Sequence, residues 1–187
     1  MPDARSVAVS ASKKIAVFEA DSIQPYAQSA VYTYTYAKDT LSEDSITPVE
    51  ADVLDESKAG IDFIGSYILL AANKSGVRIL TTDSPPALTA TIPAPTLATL
   101  APDLQPSNTV SAGFANSKTI YFISNGEAGL WVGDGDSVAA DGYGLSGSIR
   151  FSNGVSVNDV AAKNSTVVAA AGTGGVRILE LAPPSVR

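Results

Sequence analysis

Apolar and polar residues alternate along this chain in short runs, and Gly, Asn and Ser break the runs at close intervals. Residues 157–162 alternate, Lys163-Asn164-Ser165 turns, 166–171 is apolar, Gly172-Thr173-Gly174 turns again, and 175–181 forms a third run. The same order occurs at 61–64, 67–72 and 77–81, and again at 110–115, 119–124 and 129–132. Short β-rich runs joined by such turns predict antiparallel hairpins. A fourth strand is predicted after two of these units, at 88–92 and 145–151.

One phrase recurs within the pattern. Gly76-Val77-Arg78-Ile79-Leu80 returns 99 residues later as Gly175-Val176-Arg177-Ile178-Leu179, with a weaker copy, Gly129-Leu130-Trp131-Val132, between them. Repetition at this period marks an array of equivalent units. Each unit is a four-stranded antiparallel meander of roughly 45 to 55 residues, the size of a propeller blade. The expected fold is all-β: a β-propeller-like array of about four whole or partial blades.

The opening of the chain matches the repeat out of phase. Residues 6–11 and 15–20 resemble the second and third strands of a unit, and 30–37 the fourth. The expected division is a partial blade over 1–37 (strands two to four), an acidic connection over 38–59, a blade with a Pro-rich connection over 60–108, a blade over 109–156, and a partial blade over 157–187 (strands one to three). Pro183-Pro184 leaves no room for a last strand, and the count is 14 strands. Unpaired sheet edges at both ends are rarely left open. The remainder of a longer chain, another copy, or a few unplaced residues would close the array.

Composition limits the chemistry. The chain has 187 residues, enough to bury a sizeable core, and is 45% apolar and 17% charged, a globular balance. Twelve basic residues stand against 19 acidic ones, a net charge of −7, with no basic run to neutralise phosphates, so nucleic acid and anionic membranes are not expected partners. Cys is absent, which removes disulfides, thiolate ligands and Cys nucleophiles; His is absent too, which removes the commonest general base and a Ser-His-Asp triad. Catalysis would have to use carboxylates, Lys, Tyr or a bound cation. Met1-Pro2-Asp3-Ala4-Arg5 does not read as a signal peptide, and no apolar run approaches membrane-spanning length. The chain is therefore expected to be cytosolic or a piece of a longer secreted protein.

The strand pair ending in Gly-Val-Arg-Ile-Leu, as in Gly76-Val77-Arg78-Ile79, resembles the LVIVD-type repeat of bacterial surface and secreted β-propellers. The resemblance runs from Ile61 to Leu181 and includes the opening hairpin; the Trp-Asp and paired-Gly signatures of WD-repeat and kelch propellers are absent. It implies a propeller, usually extracytoplasmic, with no catalytic residues common to the family.

Several residue groups are candidates for chemistry, each with a plainer alternative. Asp134, Asp136 and Asp141 lie on a Gly-rich stretch where carboxylates can converge on Ca²⁺, yet the terminal Glu of an EF-hand is missing, and Asp and Gly also suit an ordinary turn. Tyr32, Tyr34 and Tyr36 alternate with Thr and share one face of a strand, able to stack on sugar rings or a partner protein, or simply to pack across strands. Arg78 and Arg177 occupy equivalent positions, with Trp131 at the same place in the middle copy; they can line an anion-binding groove, or lay their stems over the next blade. Asp39, Glu43, Asp44, Glu50, Asp52, Asp55 and Glu56 read as a solvated loop, or as a cation or basic-partner site. Residues 85–106 hold six of the eleven prolines and suit an edge strand followed by an extended connection. Asp62 and Asp159 sit near the start of innermost strands, where paired carboxylates can serve as glycosidase acid and base.

The sequence alone favours a non-enzymatic propeller module at the cell surface or elsewhere outside the cytoplasm, binding a protein or glycan partner or serving structural assembly. It needs no cofactor beyond a candidate Ca²⁺. The alternative is a carboxylate-based, carbohydrate-active hydrolytic propeller.

Overall fold

The computed structural model describes residues 3–20, 29–53, 58–152 and 154–181. Asp55 and Glu56 of the acidic stretch, and the closing Pro183-Pro184, lie outside them. Among the described residues fifteen strands form four antiparallel sheets, each a simple meander. The first sheet holds β1 (Asp3–Val9), β2 (Lys14–Ala20), β3 (Ser29–Ala37) and β4 (Thr40–Pro48). The second holds β5 (Ile61–Ile64), β6 (Tyr67–Ala71), β7 (Val77–Thr81) and β8 (Leu88–Ile92). The third holds β9 (Thr109–Ala115), β10 (Lys118–Ser124), β11 (Leu130–Asp134) and β12 (Leu145–Ile149). The fourth has three strands, β13 (Asp159–Lys163), β14 (Thr166–Ala170) and β15 (Val176–Glu180).

The sheets are the blades of a propeller. The first strand of each meets the first strand of the next, β1 against β5, β5 against β9 and β9 against β13, so these four strands line the centre. Side chains also link them. The Ile61 amide donates to Ser6 Oγ at 3.1 Å, the Ala112 amide to Asp62 Oδ2 at 3.0 Å, and the Ala162 amide to Ser111 Oγ at 3.0 Å.

The opening blade differs from the sequence expectation. It is in phase with the others: β1 is an innermost strand, not a second one, and the blade is completed by β4 inside the expected acidic connection. Lys38 and Asp39, with φ of 52° and 59°, make the tight turn into β4. Strand β4 carries Ser, Thr, Glu and Asp and is mostly exposed, as an outer edge strand should be. Without an apolar face it left no periodic signal to read.

The blades stack through three apolar junctions. Phe18 and Val31 of the first blade pack with Ile68, Leu70 and Leu80 of the second. Leu69, Val77 and Ile79 leave the other face of the second blade to meet Val110, Tyr121 and Ile123 of the third. Phe122 and Leu130 then meet Val160, Val167 and Ala169 of the fourth. Because successive residues of a strand point to opposite faces, a blade inside the stack needs apolar residues at consecutive positions, and Ile68-Leu69-Leu70-Ala71 supplies them, all fully buried.

The glycine opening the repeated phrase has a steric reason. Gly76 has φ +76° and its backbone lies so close to the next strand that a Cβ would stand 2.1 Å from the Ile92 carbonyl oxygen. Gly129 repeats this with φ +91° and the Ile149 oxygen at 2.3 Å.

Candidate functional site

The segments that lead into the innermost strands build the mouth of the propeller. Residues 58–60 precede β5, 106–108 precede β9 and 156–158 precede β13, and all three are tied by hydrogen bonds to neighbouring blades. Asn73 Nδ2 donates to the Lys58 carbonyl at 2.7 Å, and the Gly60 amide donates to the Asn108 carbonyl at 2.8 Å. The Asn108 amide donates to the Ser124 carbonyl at 2.8 Å, and the Asn158 amide to the Ala170 carbonyl at 2.9 Å. A fixed backbone therefore aims polar side chains at the mouth.

Two cavities meet there at Lys58. One, of about 410 Å³, is lined by Lys58, Asn108, Glu127, Ser156 and Asn158, with Asp103, Leu104 and Pro106 from the Pro-rich connection. The other, of about 220 Å³, is lined by Lys58, Asp159 and Arg5, with Ser6, Ala59, Gly60 and Thr109. Lys58 Nζ reaches Asp159 Oδ2 at 2.5 Å, and the Val160 amide donates to Asp159 Oδ1 at 2.9 Å. Ser156 Oγ lies 2.6 Å from Asn158 Oδ1. Both members of the Lys58–Asp159 pair remain partly exposed, and pairs of that kind contribute at most about 1 kcal/mol. Stability does not account for the pair; an ammonium beside a carboxylate in a polar cavity is equipped for acid–base and oxyanion chemistry.

The predicted site residues are distributed as follows. Asp159 is in the mouth, but Asp62 is not beside it. Asp62 points into the junction between the second and third blades, where the Phe63 amide (2.8 Å), the Ala112 amide (3.0 Å) and the Ser111 hydroxyl reach its carboxylate. Burial raises its pKa, and these three donors work against the rise. An acid–base couple of Asp62 with Asp159 is therefore replaced by the pairing of Asp159 with Lys58.

Arg78, Trp131 and Arg177 hold equivalent positions but lie apart. Arg78 donates to the Glu50 carbonyl at 3.0 Å and to Thr91 Oγ1 at 2.9 Å, Trp131 packs in the second junction, and Arg177 stands 5.7 Å over the Phe151 ring. Tyr32 and Tyr34 share the outward face of the first blade, facing Val17 and Ile15 across the strand pair, and Tyr36 donates to Asp39 Oδ1 at 3.1 Å. Asp134 caps the turn after β11 by accepting the Asp136 amide at 2.9 Å, and its other oxygen is 3.7 Å from Lys118 Nζ. Asp141 opens a separate turn, and among the described residues no group of three acidic side chains is placed to hold a metal ion.

Lys58, Asn108, Glu127 and Asn158 were not singled out on sequence. Lys58, Asn108 and Asn158 sit in connections between blades and Glu127 in the turn between β10 and β11, where polar residues are expected for solubility alone. The one available signal was the recurrence of Asn at the entry to an innermost strand, at Asn108 and Asn158.

Fold and mouth together define the chain as a β-propeller of four blades with a polar axial cavity. Two solved structures superpose on this fold. A periplasmic gluconolactonase of Pseudomonas aeruginosa superposes with a TM-score of 0.62 at 13% identity, over 98% of this chain and 59% of that one. A protein from Lactobacillus plantarum superposes with a TM-score of 0.55 at 12% identity, over 98% of this chain and 57% of that one. The four blades thus span less than two thirds of either neighbour. No protein-family model matches the chain, and no curated protein matches it in sequence, so the LVIVD likeness rests on the strand phrase alone.

The gluconolactonase corrects the reading of a non-enzymatic binding module. That reading rested on the absence of catalytic motifs and on a family without catalytic residues in common. A propeller that superposes on this chain is a gluconolactonase, so the fold does not mark the chain as non-enzymatic. Among the described residues no helix is long and apolar enough to cross a membrane.

Proposed function

We propose that the chain is a hydrolytic propeller acting through carboxylates and Lys58 on a lactone or related ester of a sugar acid, outside the cytoplasm. The observation that carries the reading is the Lys58–Asp159 pair at the junction of two axial cavities. The gluconolactonase and periplasmic character of the structural neighbour support the substrate class and the compartment.

The chemistry follows from the groups present. A sugar lactone offers an electrophilic carbonyl among hydroxyls, and Asn108, Asn158, Ser156 and Glu127 supply donors and acceptors for those hydroxyls. Asp159 takes a proton from water as the water oxygen adds to the carbonyl carbon. The Lys58 ammonium faces the oxyanion that forms, where its charge is worth most. Collapse re-forms the carbonyl and breaks the ring C–O bond, and the leaving oxygen recovers the proton from Asp159. Neither His nor Cys is needed, consistent with their absence.

Hydrolysis of sugar lactones, followed as acid release at constant pH, tests the reading. Asp159→Asn and Lys58→Met should each reduce turnover by about 100-fold or more, the usual cost of losing a general base or an oxyanion partner. Melting temperature should move little, because the pair is partly exposed. Turnover equal to wild type in both variants, or none in the wild type, sinks the proposal.

A further inference from the structure

The repeated phrase has opposite surroundings in its two copies. In the second blade Val77 and Ile79 are 0% exposed, sealed by the third blade. In the fourth blade the equivalent Val176 and Ile178 are 67% and 73% exposed. Val168 pairs with Ile178 across the strands and is also exposed, and Ala170 pairs with Val176, so the middle of this face is apolar and bare, with Asp159 toward one end and Lys163, Thr166 and Glu180 at the other. It is the face that every earlier blade turns toward its successor.

The first blade is bare on the complementary side. Val7 and Val9 are 62% and 64% exposed. Val7 pairs with Val17, Val17 with Tyr32 and Tyr32 with Ile46, which is exposed as well. Val9, Ile15 and Tyr34 form a parallel row. This is the face that every later blade presents to its predecessor, as Ile68 and Leu70 do to the first blade.

We infer that the two bare faces meet each other in a second copy of this chain. The last blade of one copy packs on the first blade of the other, and a two-fold axis through the propeller centre repeats the contact. Three junctions within the chain already pair these two kinds of face, so the contact continues an existing interface instead of inventing one. A chain carrying one face at each end is self-complementary head to tail. Two four-blade arcs give eight blades, inside the range of known propellers. The matching portion of each solved neighbour is a little over half its chain, so one further arc of equal length is enough to complete a structure of that size. The inference does not depend on the hydrolytic reading.

Sedimentation or light scattering on the purified chain decides it. The wild type should have twice the chain mass at micromolar concentration and dissociate on dilution. Ile178→Asp and Val9→Asp, on opposite faces, should each weaken the dimer about 100-fold, since either buries a charge in both contacts. Mixing the two variants should restore part of the two-chain species, because a mixed pair keeps one contact intact. Both positions are exposed, so circular dichroism should show both variants folded. A wild type that stays monomeric at 100 µM concentration, on the order of the weakest specific associations, overturns the inference. So does a dimer indifferent to either substitution, which would mean like faces meet, and so do open assemblies larger than two chains.

Discussion

At Asp62, burial and hydrogen bonding act on one carboxylate in opposite directions. Burial raises its pKa above the ordinary 3.8, while the Ala112 and Phe63 amides and the Ser111 hydroxyl pull it back without cancelling the rise. The folded chain therefore holds this proton more tightly than the unfolded chain does. Where the native state binds more protons, stability falls as pH rises. The loss occurs between the unfolded value of 3.8 and the higher folded one. Asp62→Asn keeps an oxygen for the Ala112 amide and removes the titration. Its melting temperature relative to wild type should rise as pH is raised from below 3.8 through the higher folded value. Asp62→Ala instead strands the Ala112 amide and should cost about 1–3 kcal/mol at every pH in denaturant melts. A wild type and Asp62→Asn with parallel pH profiles would contradict the account. The sequence pattern located Asp62 correctly on an innermost strand. What it could not reveal was direction: only the stacking of blades decides that Asp62 faces the third blade while Asp159 faces the mouth.

Elements tell a similar story through the glycine that opens the repeated phrase. Gly76 carries a positive φ and touches the strand that follows it; Gly175, with φ +75°, has nothing within 4 Å of where a Cβ would stand. Gly76→Ala adds a clash with a backbone carbonyl to the conformational strain, whereas Gly175→Ala meets strain alone. Strain of this kind costs about 1–3 kcal/mol, and overpacking typically adds about 1–3 kcal/mol more. Urea melts should place Gly76→Ala clearly below Gly175→Ala; equal losses would show that the fourth-strand contact is unimportant. The recurrence of this glycine was legible because a positive φ repeats at Gly76, Gly129 and Gly175. Strand β4 was not legible for the converse reason. A mostly exposed edge strand carries Ser42, Glu43, Asp44 and Ser45, which also spell a loop, and mistaking it shifted the phase of the whole first blade.

At the scale of the molecule, the arc has a stability gradient built into it. The second and third blades are covered on both faces, the first and fourth on one each, and the fourth has only three strands among the described residues. Repeat arrays owe much of their stability to contacts between neighbours, and units with fewer contacts open first. Strand β6 is buried at four consecutive positions, whereas β14 alternates between buried and exposed. In dilute solution the amides of β14 and β15 should therefore exchange with solvent at least about 10-fold faster than those of β6 and β10, a gap that corresponds to about 1.4 kcal/mol of local stability. The mouth shares in this gradient, because Asp159 and Asn158 belong to the last blade while Lys58 and Asn108 are anchored in the middle ones. Opening of the fourth blade separates Asp159 from Lys58 before the rest of the propeller is disturbed. Raising the protein concentration should then do two things at once if a second copy covers the last blade: protection of β14 and β15 should climb toward that of β6, and Asp159 should be held against Lys58 for a larger fraction of time. Exchange that is uniform across the blades at low concentration would remove the gradient. A gradient unaltered at high concentration would show that nothing covers the bare face of the fourth blade.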